Sequence, residues 1–339
     1  MSPTKRPYFH TSILLISIIA LGLILRLASI YPNNIILGFD QARDLFAARR
    51  IFTEGDLRIV GPTAGNNAAL HHGVAFLYLI IPPIFLGGGN PFWVSLWLSI
   101  INLASAFILY LFAKSLFKSE RAGLIAAALA SVSYYFIQFA GWISNPSPTL
   151  LTVPLAFWGL WKYKQGQALY LPISLFFLGI SIQFELFFLY LIPVFLILWF
   201  VLKLKVPKLK VLSYSLLVIS LSLSTMIATE IKFRFSGILS LLSDLVRKTG
   251  PKPAFFSTLK DFVTHYFETF SLNLLPSRPT AGLLLGLSLI GYLVFIFVTT
   301  KNLRLKLQLK LFSPFAHDHK RPSQFVKDFN RQINSFIRH

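Results

Sequence analysis

The stretch GFDQARDLFAARRIFTEGD, residues 38–56, follows at once on an apolar run long enough to lie inside a lipid bilayer. It carries four acids and three arginines, in a chain that is 55% hydrophobic and only 13% charged. A soluble domain carries roughly 25% charged residues. Placed on a helix over 40–54, Asp40 and Asp44 stand one turn apart on one face. Leu45, Phe52 and the Ala47–Ala48 pair make a greasier side, so this helix is predicted to lie along the membrane surface. Arg43, Arg49, Arg50 and Arg58 follow, and His71-His72 closes the segment before the next apolar run.

Outward from this stretch, apolar spans are predicted over 12–31, 92–113, 122–141, 148–161, 168–184, 186–202, 211–229 and 281–300. Most approach the roughly 20 residues that cross a bilayer. A β-barrel would alternate apolar and polar residues in short strands, and most of this chain does not. With a mean hydropathy of +0.66 over 339 residues, the fold class is an all-α polytopic membrane protein with about eight transmembrane helices. The run 73–89 is interrupted by Pro82-Pro83 and Gly87-Gly88-Gly89. Prolines inside a run remove backbone donors, so 73–89 is predicted to lie in one leaflet rather than to cross. The run from Ile13 to Ile30 is too long for a leader, and no small-residue cleavage site follows it, so it is read as an uncleaved first helix.

Charge orients these spans. Lys5 and Arg6, the Lys114–Arg121 cluster, Lys162 and Lys164, the Lys203–Lys210 cluster and the tail from Lys301 all fall on one side if 73–89 does not cross. The connections 142–147 and 183–185, on the other side, hold no Lys or Arg. Cytoplasmic loops carry the excess of basic residues, so the N-terminus is expected inside, in a plasma or inner cell membrane. The same bias accounts for the net charge of +20 without a nucleic-acid partner. The chain has no cysteine, which excludes disulfides and thiolate metal sites.

Two large external loops result, 32–91 and 230–280. The expected organisation is a transmembrane domain over 1–300 and a basic membrane-surface tail over 301–339. In the tail, Phe325, Phe329, Ile333 and Phe336 recur at helical spacing among basic residues, as in a helix lying on an anionic leaflet.

Several polar residues are placed on the outer side by this topology. Asn145 lies in GWISNPSPT, Gln183 and Glu185 in SIQFELF, and Glu230 in ATEIKFRF. A carboxylate can take the proton of an attacking hydroxyl, and Arg or His can stabilise a departing phosphate. Asp40 and Asp44 are thus candidate catalytic residues, and Asn145, Gln183, Glu185 and Glu230 candidates for the acceptor side. On spacing alone an ordinary surface helix with solvated ion pairs fits residues 40–54 equally well, and the 141–149 turn reads as well as a helix stop. A transporter would more often show internal repeats and charges at mid-span. No repeat is visible, and the spans are nearly charge-free at their centres.

In order along the chain, GFDQARD, GPT, HHG, the run YLIIPP…LGGGNP, WISNPS and IQFE fall at set places against the spans. That order resembles the GT-C fold glycosyltransferases. It resembles most the bacterial branch related to protein O-mannosyltransferases, the aminoarabinose transferase of lipid A and the RgtA/B/C/D-like domain, over roughly residues 10–300. The resemblance implies a sugar donor linked to polyprenyl phosphate, transfer at the outer face with inversion, and a lipid, glycan or protein acceptor. It places Asp40 as the base or acceptor-positioning acid, and Arg58, His71 and His72, with Arg43, as donor-phosphate contacts. The wider fold includes divalent-metal enzymes and the close branch does not, so a metal is left open. Relatives often have a second acid where Gln41 stands and a His where Glu185 stands. They also usually continue through further spans. A lipid or small-anion transporter or flippase, and a truncated, non-catalytic relative, remain as alternatives.

Overall fold

The computed structural model describes residues 6–65, 67–246 and 255–274, with single positions and a short helical stretch between 278 and 291. Most of the predicted span 281–300, the loop residues 247–254 and the tail 301–339 lie outside the described residues. The chain divides into two compact units, Met1–Asp261 and Phe262–His339.

Helix α1, Arg6–Ile30, is the first apolar run. Helix α2, Phe39–Glu54, is the acid- and arginine-rich stretch. Its first turn is closed by Gln41, whose side-chain carbonyl accepts the Gly38 N–H at 2.9 Å. Its last turn ends at Gly55, in a left-handed conformation (φ 67°) that donates back to the Arg50 carbonyl, the usual glycine stop. The strands β1, Thr63–Ala64, and β2, Asn67–His71, form an antiparallel hairpin that pairs Thr63 with His71.

Helix α3, Ala75–Leu86, contains both Pro82 and Pro83 and has 12 residues. At about 1.5 Å per residue it spans about 18 Å, short of the roughly 30 Å hydrocarbon core. It is too short to cross alone, although the prolines lie inside it and its end falls at Gly87. Asn90 caps helix α4, Pro91–Phe117, by accepting the Phe92 N–H at 2.9 Å, with Pro91 at the first helical position.

Helices α5, Glu120–Val132, and α6, Tyr134–Gly141, occupy the predicted span 122–141 but bend by 45° at Ser133. Helices α7, Thr149–Lys164, and α8, Tyr170–Phe184, pack against each other. A 3₁₀ turn, Leu186–Tyr190, leads into α9, Leu191–Val201. Helices α10, Leu209–Ser222, and α11, Ser224–Lys232, bend by 61° at Leu223. The predicted loop 230–280 is largely helical: it holds the end of α11, then α12, Ser236–Val246, and α13, Phe255–Leu274.

Among the described residues, His10–Ile30 and Pro91–Phe117 are long and apolar enough to span a membrane, and each bent pair counted as one span makes four. α8 and the 186–201 segment are apolar but shorter. The inside and outside of the bundle point the same way. Ile16 is 67% exposed and Phe200 76%, whereas Ser95, Ser99, Asn102, Ser105 and Ser174 are fully buried. Small polar residues between helices, with aliphatic chains facing out, are the packing pattern of membrane bundles. The protein is an all-α membrane protein.

One buried charge departs from the expectation of nearly charge-free spans. Arg26 of α1 has no exposed surface. Its Nη1 donates to the Gly22 and Ser131 carbonyls, both at 2.9 Å, and its Nη2 to Asn102 Oδ1 at 3.0 Å and the Ala130 carbonyl at 3.3 Å. Asn102 in turn donates to the Phe136 carbonyl at 2.9 Å. The cation thus sits at the C-terminal end of α5, where helix carbonyls lack partners and the dipole is negative. It joins α1, α4 and the α5–α6 break.

Candidate functional site

The site begins on α2. The buried stripe of this helix is Gln41, Asp44, Ala47, Ala48 and Ile51, a set spaced three and four residues apart. Phe39, Phe46 and Phe52 point outward, at 83, 63 and 51% exposure. The side expected along the membrane is thus divided: Phe52 faces outward, while Ala47 and Ala48 are buried, and an acid, Asp44, shares their packed side.

Arg43 joins the two aspartates. Its Nη1 donates to Asp40 Oδ1 at 2.7 Å and its Nε to Asp44 Oδ1 at 2.9 Å. The Asp40 side chain is 67% exposed and the Asp44 side chain 4%. Burial raises the Asp44 carboxyl above the ordinary carboxylate range, against the opposing pull of Arg43, and the charge of Asp40 adds to the rise. Asp40 is left as the outward carboxylate of the pair.

The hairpin brings up the histidines, and two glycines explain how it closes. A Cβ on Gly61 would stand 2.7 Å from the Gly73 carbonyl and closer still to that of His72. A Cβ on Gly73 would meet the Gln183 side chain and, at 2.8 Å, its carbonyl. The His72 N–H donates to the Pro62 carbonyl and the Gly73 N–H to the Gln183 carbonyl, both at 2.9 Å. GPT and HHG are therefore two sides of one tight backbone crossing.

His72 Nδ1 accepts the Leu186 N–H at 3.3 Å, so its proton belongs on Nε2. Glu185 Oε1 lies 3.6 Å from the same Nδ1. Because Nδ1 is already an acceptor, that approach is not an ion pair. Burial pushes the imidazole down to about 4, Arg43 adds to the fall, and Asp40 opposes it. His72 thus lies in the electric field of the α2 pair. Burial raises the Glu185 carboxyl, while the Phe187 N–H at 3.3 Å pulls it back.

His71 stacks on Phe233 at a centroid distance of 5.3 Å, and its Nδ1 is buried without a partner among the described residues. Gln183 exchanges hydrogen bonds with Thr225, at 2.8 and 3.1 Å. Glu230 Oε2 accepts the Ile238 N–H at 3.1 Å, at the start of α12. Arg58 pairs with Asp56 at 3.1 Å, and its backbone holds Tyr78 Oη through both N–H and carbonyl. Asn145 is half-buried, on a segment tied to the approach to α2 by the Ile36 N–H bond to the Gly141 carbonyl, 2.9 Å.

The structure thus brings Asp40, Arg43 and Asp44 into one hydrogen-bonded group with His72 in its field, and His72 beside Glu185. Arg58 joins none of these contacts. Among the described residues no group of three or more His, Asp or Glu could hold a metal ion. Sequence reasoning passed over Arg26, Asn102, Tyr78, Thr225 and Thr229. The last donates to the Ile59 carbonyl at 2.9 Å. Their partners are mostly backbone groups far along the chain, which leave no local pattern.

Below the histidines lies a cavity of ≈ 240 Å³. His71, His72 and Glu230 stand in its wall, which is otherwise almost wholly aliphatic, with Leu186, Leu223 and Met226 among the lining residues. No lysine or arginine lines it.

No protein-family model matches the chain, and no curated protein matches it.

Proposed function

We propose that the protein is a glycosyltransferase that moves a sugar from a polyprenyl-phosphate-linked donor to an acceptor at the outer face of a plasma or inner cell membrane. The observation that supports it most is the hydrogen-bonded Asp40–Arg43–Asp44 group on α2, in whose electric field the buried His72 lies. It combines an exposed carboxylate, a guanidinium and a neutral N–H donor at the edge of an apolar bundle. We take the outer apolar runs as up to eight spans with the N-terminus inside.

In this mechanism the acceptor hydroxyl oxygen attacks the anomeric carbon and its proton passes to Asp40. The bond from that carbon to the phosphate oxygen breaks, and its electron pair leaves with the polyprenyl phosphate. Arg43 and the His72 Nε2–H meet the developing phosphate charge, with Arg58 and His71 completing the donor side. Asp44 holds Arg43 in place. Asn145, Gln183, Glu185 and Glu230 shape the acceptor side. No metal is required by these steps.

The test is lipid mass spectrometry on host membranes expressing the wild type or Asp40→Asn. Loss of a positioned base costs about 10²–10⁴ in rate, so a polyprenyl-phosphate sugar should accumulate in, or copurify with, the variant. Identical lipid profiles from two well-expressed proteins would remove Asp40 from catalysis.

A second reading, a lipid or anion transporter, draws on the 45° and 61° helix breaks and on buried Arg26, since broken helices and intramembrane charges mark transport paths. The two Nη groups of Arg26 are occupied by carbonyls and Asn102 and only its buried Nε lacks a partner among the described residues, which weighs against its lining such a path. Asp40→Asn that stops lipid translocation while leaving glycan products unchanged would favour this reading.

A further inference from the structure

We infer that the cavity beside His71 and His72 holds the head-proximal part of one acyl chain of a neutral, hydroxyl-bearing glycerolipid, with the hydroxyl at the cavity's polar wall, and that this lipid is the acceptor. The inference rests on the transferase reading for the word acceptor, but the binding site stands on its own geometry.

The cavity is made by the 61° bend at Leu223, which swings α11 away from the line of α10. The hairpin, the 3₁₀ turn after α8 and the start of α12 close its other sides. At ≈ 240 Å³ it exceeds the ~150 Å³ apolar cavity that admits benzene. Scaled from that six-carbon ring, it takes a chain segment of roughly ten carbons. It is too small for a whole polyprenyl or fatty acyl chain and admits part of either, so the choice between them falls to the polar wall.

The polar groups of the wall choose the head. Glu230 is a carboxylate, Glu185 stands beside His72, and no lysine or arginine lines the space. A phosphate-bearing head here would face an acid without a compensating cation, which is costly in a medium of low dielectric. A hydroxyl-bearing neutral head meets acceptors instead. The cationic group, Arg43, belongs to α2 and its two aspartates, so donor phosphate and acceptor chain are separated by the histidine hairpin. Gly237 fits the same design. A Cβ there would strike the Glu230 carboxyl, so the glycine lets α12 approach closely enough for the Ile238 N–H to hold that carboxylate.

The experiment uses the full-length protein in nanodiscs and a diacylglycerol with a diazirine in the carbonyl-proximal half of one acyl chain. After irradiation, labelled peptides are mapped. Labelling is expected at Leu223, Met226 or Leu241, and a tenfold excess of unlabelled diacylglycerol should suppress it more than the same excess of phosphatidic acid. Met226→Trp, which fills the space, should lower labelling there at least fivefold while leaving unchanged the labelling of lipid-facing Leu216 and Leu217. Circular dichroism and melting check that this variant is folded. If it is not, the milder Leu241→Phe is read in its place. Labelling confined to lipid-facing residues, indifference to the filling substitution, or preferential suppression by polyprenyl phosphate would each overturn the inference. Asp40→Asn should label like the wild type, since it leaves the cavity intact. Failure of Asp40→Asn to alter sugar lipids, with cavity labelling intact, defeats the transferase reading alone. The reverse outcome defeats the lipid acceptor alone.

Discussion

Replacing Arg26 by methionine tests the packing of the bundle at its least expected point. The substitution keeps a long side chain but removes every donor. It leaves the Ala130 and Ser131 carbonyls and Asn102 Oδ1 without the partners they have at 2.9–3.3 Å. Three buried acceptors left unsatisfied at about 1–3 kcal/mol each would cost up to about 9 kcal/mol in a soluble protein. Inside a bilayer a hydrogen bond between helices averages only about 0.6 kcal/mol, with a maximum near 1.7. Relief of the desolvated guanidinium works in the opposite direction. The two scales meet at a net loss of about 3 kcal/mol, equivalent to roughly 6–12 °C in melting temperature at about 2–4 °C per kcal/mol. The assay is thermal unfolding of the detergent-purified protein, followed by tryptophan fluorescence and size-exclusion recovery. Arg26→Lys should fall between, because a single ammonium cannot span both Asn102 and the α5 carbonyls as the planar fork does. A methionine variant that melts within about 2 °C of the wild type, or above it, would refute the assignment of Arg26 as the tie at the α5–α6 break.

Other outcomes can be checked with the same preparation. His72 is held down to about 4 from an ordinary 6.5, so its stabilising contribution is present above pH 6.5 and is lost as pH falls toward 4. The loss is at most about 3 kcal/mol, and His72→Gln should flatten this acid limb of the melting profile. The raised carboxyls of Asp44 and Glu185 act with opposite sign, since their contribution is lost as pH rises, so Asp44→Asn should leave the acid limb in place. Gly73→Ala should disrupt the hairpin, and adding Gln183→Ala should rescue melting only partly, because the Gln183 carbonyl remains 2.8 Å from the new methyl. As the native chain has no cysteine, Leu57→Cys and Gln167→Cys can be labelled cleanly. The first should react with an impermeant maleimide on intact cells, and the second only after permeabilisation. Labelling of Leu57→Cys from the cytoplasmic side alone would place α2 in the wrong compartment for the proposed transfer.

What could be read from the residues depended on how far apart the interacting groups lie. The helix over 40–54 was legible because Asp40 and Asp44, one turn apart, announce a shared face, and Arg43 between them supplies the bridge. The same segment did not show which part of its greasier side meets protein: Ala47 and Ala48 are buried and Phe52 is exposed, because the surroundings of the bundle are themselves apolar. Hydropathy then says only that a residue avoids water, and not whether it meets lipid or protein. Helix α3 runs through Pro82 and Pro83 and stops at Gly87, so it is short, but the prolines do not set its end. The breaks at Ser133 and Leu223 carry neither Pro nor Gly, so 122–141 and 211–229 read as continuous spans.

Those two unmarked breaks are where the long-range chemistry sits, and each is served in its own way. A helix that ends inside an apolar bundle must give its last carbonyls a donor from elsewhere. At Ser133 the donor is Arg26, more than 100 residues earlier in the chain. At Leu223 the backbone bonding runs on, with the Leu223 N–H donating to the Ile219 carbonyl, and the side chains of α11 tie the bend instead, Thr225 to Gln183 and Thr229 to the Ile59 carbonyl. The second break leaves space instead of a cation, and that space lies directly beneath the histidine hairpin. Gln183 both receives the Gly73 N–H and binds Thr225, so hairpin, α8 and bent helix are positioned by one residue. A change of the bend angle would therefore alter the cavity and the setting of His72 together. Thr225→Val, which keeps the volume and removes the hydroxyl, should then weaken acyl-chain labelling in the cavity and shift the His72-dependent acid limb in a single variant. Movement of one readout without the other would show that Gln183 does not couple them.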